Sequence, residues 1–199
     1  MNLPERVPLD EYQIIGEVVG WSPLLLRAMA FKETWRHEEN PNDIRFEKHK
    51  WRRFRMASRE AKRFDRARNS RDREKRWEQF ERMDRICQRD AMLNRRAGHA
   101  AILSHSFGWM QIMGFNHRHC GFEKPREFLA AMKTLEGQRD CMIQFILENP
   151  TIQRAGAAQD LDSLGYHWNG PAYRRNHWAR DIARFYVDLK IEGSLNAYV

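Results

Sequence analysis

Ser22-Pro23-Leu24-Leu25-Leu26-Arg27-Ala28-Met29-Ala30-Phe31-Lys32-Glu33 reads as a helix with a marked start. Ser22 is a good N-cap, and Pro23 suits the first helical position. Leu24, Ala28 and Phe31 make one apolar stripe, and Leu25 and Met29 a second. Leu26 and Ala30 make a third, which Glu33 continues. A helix that is apolar on several faces belongs in the centre of a fold. It ends on a carboxylic acid whose surroundings exclude water. Desolvation disfavours the charged form, so the pKa of Glu33 should rise. A carboxyl that keeps its proton near neutral pH is what general acid catalysis requires. The plainer alternative is that Glu33 marks where the helix surfaces.

Working outward, the pattern on both sides is helical. Helices are expected over Glu11 to Val19, Asp72 to about Met92, Arg96 to Ser104, and Pro125 to about Met132. Arg36 to Asp43 is a polar loop with Asn40-Pro41-Asn42-Asp43 as turn chemistry, and Ile44 to Phe46 suits a short strand. Ser106-Phe107-Gly108 reads as a turn before a short apolar element, Trp109 to Met113. Thr134 caps a helix from Leu135 to Glu148, which Asn149-Pro150 stops. Asp160-Leu161-Asp162 starts a short helix, Asn169-Gly170-Pro171 turns, and Tyr173 to Leu189 closes as an amphipathic helix. The expected class is all-α, with at most a small β element, in a single domain spanning residues 1–199.

The chain's charge is concentrated. Of 199 residues, 35 are Lys or Arg and 27 are Asp or Glu, a net of +8. Lys48 to Arg76 holds fourteen basic and four acidic residues, so this segment carries +10 and the remainder −2. A uniformly basic, histone-like protein is excluded. With 42% hydrophobic residues, so is global disorder, despite a mean hydropathy of −0.81. Cys87, Cys120 and Cys141 are odd in number and form no CxxC, so reduced thiols are expected rather than a disulfide scaffold. No signal peptide and no membrane span are read in the sequence.

Several constellations carry chemistry on paper. Glu47, in Ile44-Arg45-Phe46-Glu47-Lys48-His49, is a second carboxylate on a separate element, and two carboxylates are the minimum equipment for glycoside hydrolysis. Alone, Glu47 would simply pair with Arg45 or Lys48. His117-Arg118-His119-Cys120, with His105 nearby, lacks a zinc spacing, so packing and hydrogen bonding are expected and no metal. Asp90, His105 and Ser106 lack the G-x-S-x-G elbow of a hydrolase triad. No glycine-rich phosphate loop occurs. The Arg-rich segment, with Trp51, Phe54 and Phe64 interleaved, suits nucleic acid, another polyanion, or a solvated face.

Ser104-His105-Ser106-Phe107-Gly108-Trp109-Met110-Gln111-Ile112-Met113-Gly114-Phe115-Asn116-His117 resembles the S-x-S-x-G-x-x-Q-I-M-G-x-N-H signature of the N-acetylmuramidase domains of bacteriophage endolysins. These belong to the lysozyme-like group, with goose-type lysozymes and soluble lytic transglycosylases as relatives. His119-Cys120-Gly121-Phe122 fits the family's continuation. Trp168-Asn169-Gly170-Pro171-Ala172-Tyr173 resembles its aromatic-N-G-P-x-Y motif, and Phe46-Glu47-Lys48-His49 its F-E-[RK]-H motif. The resemblance covers about Tyr12 to Tyr186. It departs where the family reads Glu-Ser-Gly-Gly and this chain reads Glu33-Thr34-Trp35-Arg36, and where the Arg-rich segment replaces a glycine-rich loop.

The resemblance implies a lysozyme-like fold and a peptidoglycan glycosidase, without a cofactor, that cleaves the β-1,4 bond after N-acetylmuramic acid. It implies Glu33 as general acid and Glu47 as second carboxylate. Thr34, His49, Ser106, Gln111, Asn116, Asn169 and Tyr173 would bind glycan, with Asn169 and Tyr173 facing Glu33 across the cleft. A lytic transglycosylase acting on the same bond, and a non-enzymatic basic protein binding nucleic acid or envelope, remain the alternatives. The expected partners are peptidoglycan strands and, through Lys48 to Arg76, anionic envelope polymers. A monomer with no stable protein partner is expected. It would be made in a host cytoplasm and reach the wall through a holin-type pore or on a particle.

Overall fold

The structure, a computed structural model, describes residues 3–34, 38–54, 72–91 and 98–196. In chain order these form α1 (Leu9–Val19), α2 (Pro23–Glu33), β1 (Ile44–Phe46), α3 (Lys48–Phe54) and α4 (Arg73–Ala91). Then come α5 (Ala100–Leu103), β2 (His105–Phe107), β3 (Ile112–Met113) and a 3-10 turn (Gly114–Asn116). The series ends with α6 (Pro125–Ala131), α7 (Leu135–Leu147), α8 (Pro150–Ala157), α9 (Leu161–Asn169) and α10 (Trp178–Asn196). The fold is predominantly helical with one small sheet, as the sequence implies.

The helix that opened the sequence reading is the central one. Ser22 Oγ accepts the Leu25 amide at 3.4 Å, and Pro23 occupies the first turn. Leu25, Leu26, Ala28, Met29 and Ala30 are all buried. Burying each large side chain here is worth about 1.5–3 kcal/mol. α1 and α10 flank α2, and Phe31 meets Phe185 of α10 with ring centroids 5.8 Å apart. Among the described residues no single helix is long and apolar enough to cross a membrane.

Three local readings change in the structure. Ser106-Phe107-Gly108 is not simply a turn, because His105–Phe107 pairs antiparallel with both β1 and β3. Residues this short make a sheet only when tertiary packing covers them, which local propensity does not report. Asn149-Pro150 does end α7, but Pro150 also begins α8, where its missing N–H costs nothing. The last helix starts at Trp178 rather than Tyr173. His177 sits at φ +52°, a left-handed conformation that no helix can run through.

The sheet sorts its side chains by face. Ile44 lies opposite Phe107, and Phe107 opposite Ile112, and all three are buried. On the other face Arg45 lies opposite Ser106, and Ser106 opposite Met113. Alternation along each strand therefore turns Arg45, Ser106 and Met113 together away from the core. The hairpin turn is held by Gln138 of α7. Its Oε1 accepts the Trp109 amide at 3.3 Å, and its Nε2 donates to the carbonyls of Pro41 and Met132, both at 2.8 Å. Gly108, at φ +75°, leaves room for this amide, since a Cβ there would stand 2.1 Å from Gln138 Oε1.

Arg76, the last residue of the basic segment, is buried. Its Nη2 pairs with Asp43 Oδ1 at 2.6 Å and its Nη1 donates to the Ile44 carbonyl at 3.2 Å, fastening α4 to β1. Residues 55–71 of that segment, Phe64 among them, lie outside the described residues, as do Trp35 and Arg36. Trp51 is buried in the core.

His105 is also structural. Its ring stacks among Phe46 and Phe80, at 5.1 and 5.0 Å, and its Nδ1 contacts the Ala101 carbonyl at 2.7 Å. Burial pushes its pKa down from 6.5 to about 4. Below pH 6.5 the unfolded chain takes up a proton that the folded chain refuses until about pH 4, so stability falls as pH drops through that window. His105→Gln keeps a donor but does not titrate there. Denaturant unfolding from pH 7 to pH 4 should show a smaller acid-side loss in this variant than in the parent; an equal loss would place the titration elsewhere.

Candidate active site

The polar face of the sheet forms the floor of a cleft of about 920 Å³, with Arg45, Ser106 and Met113 in its lining. The end of α2 contributes Glu33 to one wall, and the segment after β1 contributes Glu47 and His49. The 3-10 turn brings Phe115 and Asn116, and the end of α9 brings Trp168 and Asn169.

Glu33 is half-buried, open to the cleft on one side and packed by helices on the other. Its Oε1 accepts a hydrogen bond from the Trp178 indole at 2.8 Å. Burial raises its pKa; the Trp178 hydrogen bond, then Arg45, then Lys32 act against that rise, and Trp168 adds a smaller opposing contribution. Its position at the negative end of the α2 dipole also disfavours a charge. Arg45 Nη2 answers that dipole directly by donating to the Glu33 carbonyl at 2.8 Å.

Trp178 is set in place by the start of α10. Lys32 Nζ pairs with Asp181 Oδ2 at 2.6 Å and donates to the Asn176 carbonyl at 3.2 Å, tying this turn to the end of α2. Gly165 of α9 allows the approach, because a Cβ there would stand 2.6 Å from the Tyr173 ring and 3.0 Å from the Trp178 ring.

Gln111 is held in a left-handed conformation, φ +50°, with both ends of its amide engaged. Ser106 Oγ donates to its Oε1 at 2.7 Å, and its Nε2 donates to the Gly108 carbonyl at 2.8 Å. Glu47 Oε2 lies 3.5 Å from His49 Nδ1.

The structure therefore brings Glu33, Glu47, His49, Ser106, Gln111, Asn116 and Asn169 to one cleft. Two expected glycan contacts lie elsewhere. Thr34 is buried; its Oγ1 donates to the Ala30 carbonyl at 2.8 Å and accepts the Glu39 amide at 3.0 Å. Its hydroxyl closes the helix end and does not line the cleft. Tyr173 is buried on the far side of its loop, donating to Asp162 Oδ1 at 2.5 Å. The loop alternates, so Gly170 and Ala172 face the cleft while Pro171 and Tyr173 face away. His117 Nδ1 contacts the Gly114 carbonyl at 3.1 Å, and Cys120 is buried. Among the described residues no group of three His, Cys, Asp or Glu side chains is placed to hold a metal.

Sequence reasoning missed Trp178 and Arg45 as partners of Glu33. Arg45 had a signal, since it alternates with core residues in a short strand. Trp178 had none, because its indole reaches Glu33 from 145 residues away.

The raised pKa of Glu33 has a consequence for stability. Above the unfolded value near 4.5 the unfolded chain gives up a proton that the folded chain retains, so stability falls as pH rises until Glu33 itself ionises. Glu33→Gln should therefore be more stable than the parent at pH 7 and gain little at pH 4, measured by denaturant unfolding at both. A variant less stable at pH 7 would contradict a strained carboxyl.

The fold is similar to that in the crystal structure of the Burkholderia AP3 phage endolysin, with a TM-score of 0.65 over 94% of this chain and 73% of that one, at 19% identity. No curated protein sequence matches this chain. The N-acetylmuramidase family model matches residues 29–190, a span that takes in the end of α2, the sheet, the whole cleft and most of α10. The chain belongs to the N-acetylmuramidase family.

Proposed function

We propose that this protein is a peptidoglycan-degrading endolysin that hydrolyses the β-1,4 bond between N-acetylmuramic acid and N-acetylglucosamine, with Glu33 as general acid. The observation that carries this reading is the Glu33 carboxyl itself, desolvated, open to a cleft of about 920 Å³, and held by an indole N–H. Protonated Glu33 gives its proton to the glycosidic oxygen as the bond to C1 breaks. The carboxylate left behind is the form that the Trp178 hydrogen bond stabilises, so the donor favours proton release at the moment of transfer. Positive charge develops at C1, and Glu47 is the second carboxylate that stabilises it or activates water. A second carboxylate in the cleft favours hydrolysis over the transglycosylase route, which closes the muramyl 6-hydroxyl onto C1. The Ser106–Gln111 pair, with Asn116 and Asn169, offers hydrogen bonds to sugar hydroxyl and acetamido groups.

The Arg-rich stretch between α3 and α4 would hold the enzyme on anionic envelope polymers by charge. Access to the wall would come through a holin-type pore or delivery on a particle.

Glu33→Gln should lower the rate of cell-wall clearing by about 10²- to 10⁴-fold. Clearing at the parental rate would overturn the assignment of the acid. Mass spectrometry of the parent's products should show reducing ends that have gained one water; 1,6-anhydro ends would mean transglycosylation instead. Trp178→Phe tests the tuning. A general acid must hold its proton, so activity falls as pH rises through the pKa of Glu33. Removing a donor that favours the carboxylate raises that pKa further. The alkaline limb of the kcat/KM profile should then move to higher pH, and a limb that stays or moves down would show that the indole has no such role.

A further inference from the structure

We propose that Lys50 binds a carboxylate carried by the muramyl residue, so that the cleft selects an acidic glycan over a neutral one. This rests on the reading of the cleft as a peptidoglycan site.

The Lys and Arg side chains lining the cleft are Arg45, Lys50 and Arg76, and His49, His119 and His167 line it as well. Arg45, Arg76 and His49 have partners within the fold. Arg45 donates to the Glu33 carbonyl at 2.8 Å, Arg76 pairs with Asp43 at 2.6 Å, and His49 lies 3.5 Å from Glu47. Lys50 is different. It is half-buried, and no carboxylate among the described residues stands within ion-pairing distance of its ammonium group. What holds it is the face of Phe115, with Nζ 4.7 Å from the ring centroid. A cation–π contact orients an ammonium group without neutralising it.

The substrate class supplies the missing partner. N-acetylmuramic acid differs from N-acetylglucosamine by the lactyl ether on O3. That lactyl carboxyl is either free or joined to a stem peptide with carboxylates of its own. A homopolymer of N-acetylglucosamine has neither. A carboxylate meeting Lys50 forms a charge-assisted contact in a partly dehydrated cleft, stronger than the same contact on an open surface.

The test is binding, measured calorimetrically on the full chain carrying Glu33→Gln so that the glycan is not cut. Three soluble muropeptide glycans of equal length are compared. One carries stem peptides, one is stripped by an amidase to free lactyl carboxylates, and one has all its carboxyls converted to amides. Lys50→Met should weaken binding about tenfold on at least one of the two anionic glycans and leave the amidated one unchanged. Weakening on the peptide-bearing glycan alone assigns the stem peptide as the source, and weakening on the stripped glycan assigns the lactyl carboxylate. Lys50→Arg should retain most of the affinity, which a purely structural loss would not. Equal weakening on all three glycans, or none on any, overturns the proposal while leaving the glycan cleft intact. Failure of the parent to bind any of the three overturns the cleft reading and this inference together.

Discussion

A buried helix that ends on a carboxylic acid sets the terms for the rest of this structure. α2 buries Leu25, Leu26, Ala28, Met29 and Ala30, and its last residue, Glu33, stands where both desolvation and the helix dipole oppose a negative charge. The fold does not relieve this by exposing the group. It surrounds it with a measured set of donors: an indole on the carboxylate, a guanidinium on the backbone carbonyl of the same residue, and an ammonium group one residue earlier that is spent on Asp181. None of these is a full counter-ion bonded to the carboxylate. Burial raises the pKa of Glu33, and these donors limit the rise.

The remaining elements keep that arrangement in place. The sheet is small, yet it puts Arg45 and Ser106 on one face while its other face is buried in the core. It is pinned at both ends. Gln138 saturates its amide on the hairpin and on two carbonyls, and Arg76 joins α4 to β1 through Asp43. Buried polar groups bonded this completely are costly to disturb, because removing one partner leaves the other desolvated and unpaired. On the opposite wall, the left-handed His177 starts α10 late enough to aim Trp178 at Glu33.

The concentration of positive charge now divides into parts with different physics. Arg76 is buried and paired with Asp43 at the edge of the cleft, and His49 and Lys50 line the same cleft. Other cations of the segment, such as Arg53 and Lys75, are exposed. Net charge counted along a sequence treats all of these alike, whereas burial and pairing decide whether a given cation is felt outside the protein at all.

Much was determined by the sequence alone. The all-round apolar pattern of α2, with Ser22 and Pro23 at its start, dictated a central helix, because helix caps and the 3.6-residue period are local properties. The same pattern marked Glu33 as desolvated, and the quoted motifs brought Glu47, Ser106, Gln111, Asn116 and Asn169 into view together. The family motif by itself did not separate residues that face the cleft from those that build its walls. Thr34 and Tyr173 sit in the motifs, but backbone geometry turns them inward, to close a helix and to brace a loop. The partner of Glu33 was likewise decided only by tertiary structure. A hydrogen bond between residues 145 positions apart depends on how two helices and a strained turn pack, and no local periodicity encodes that distance.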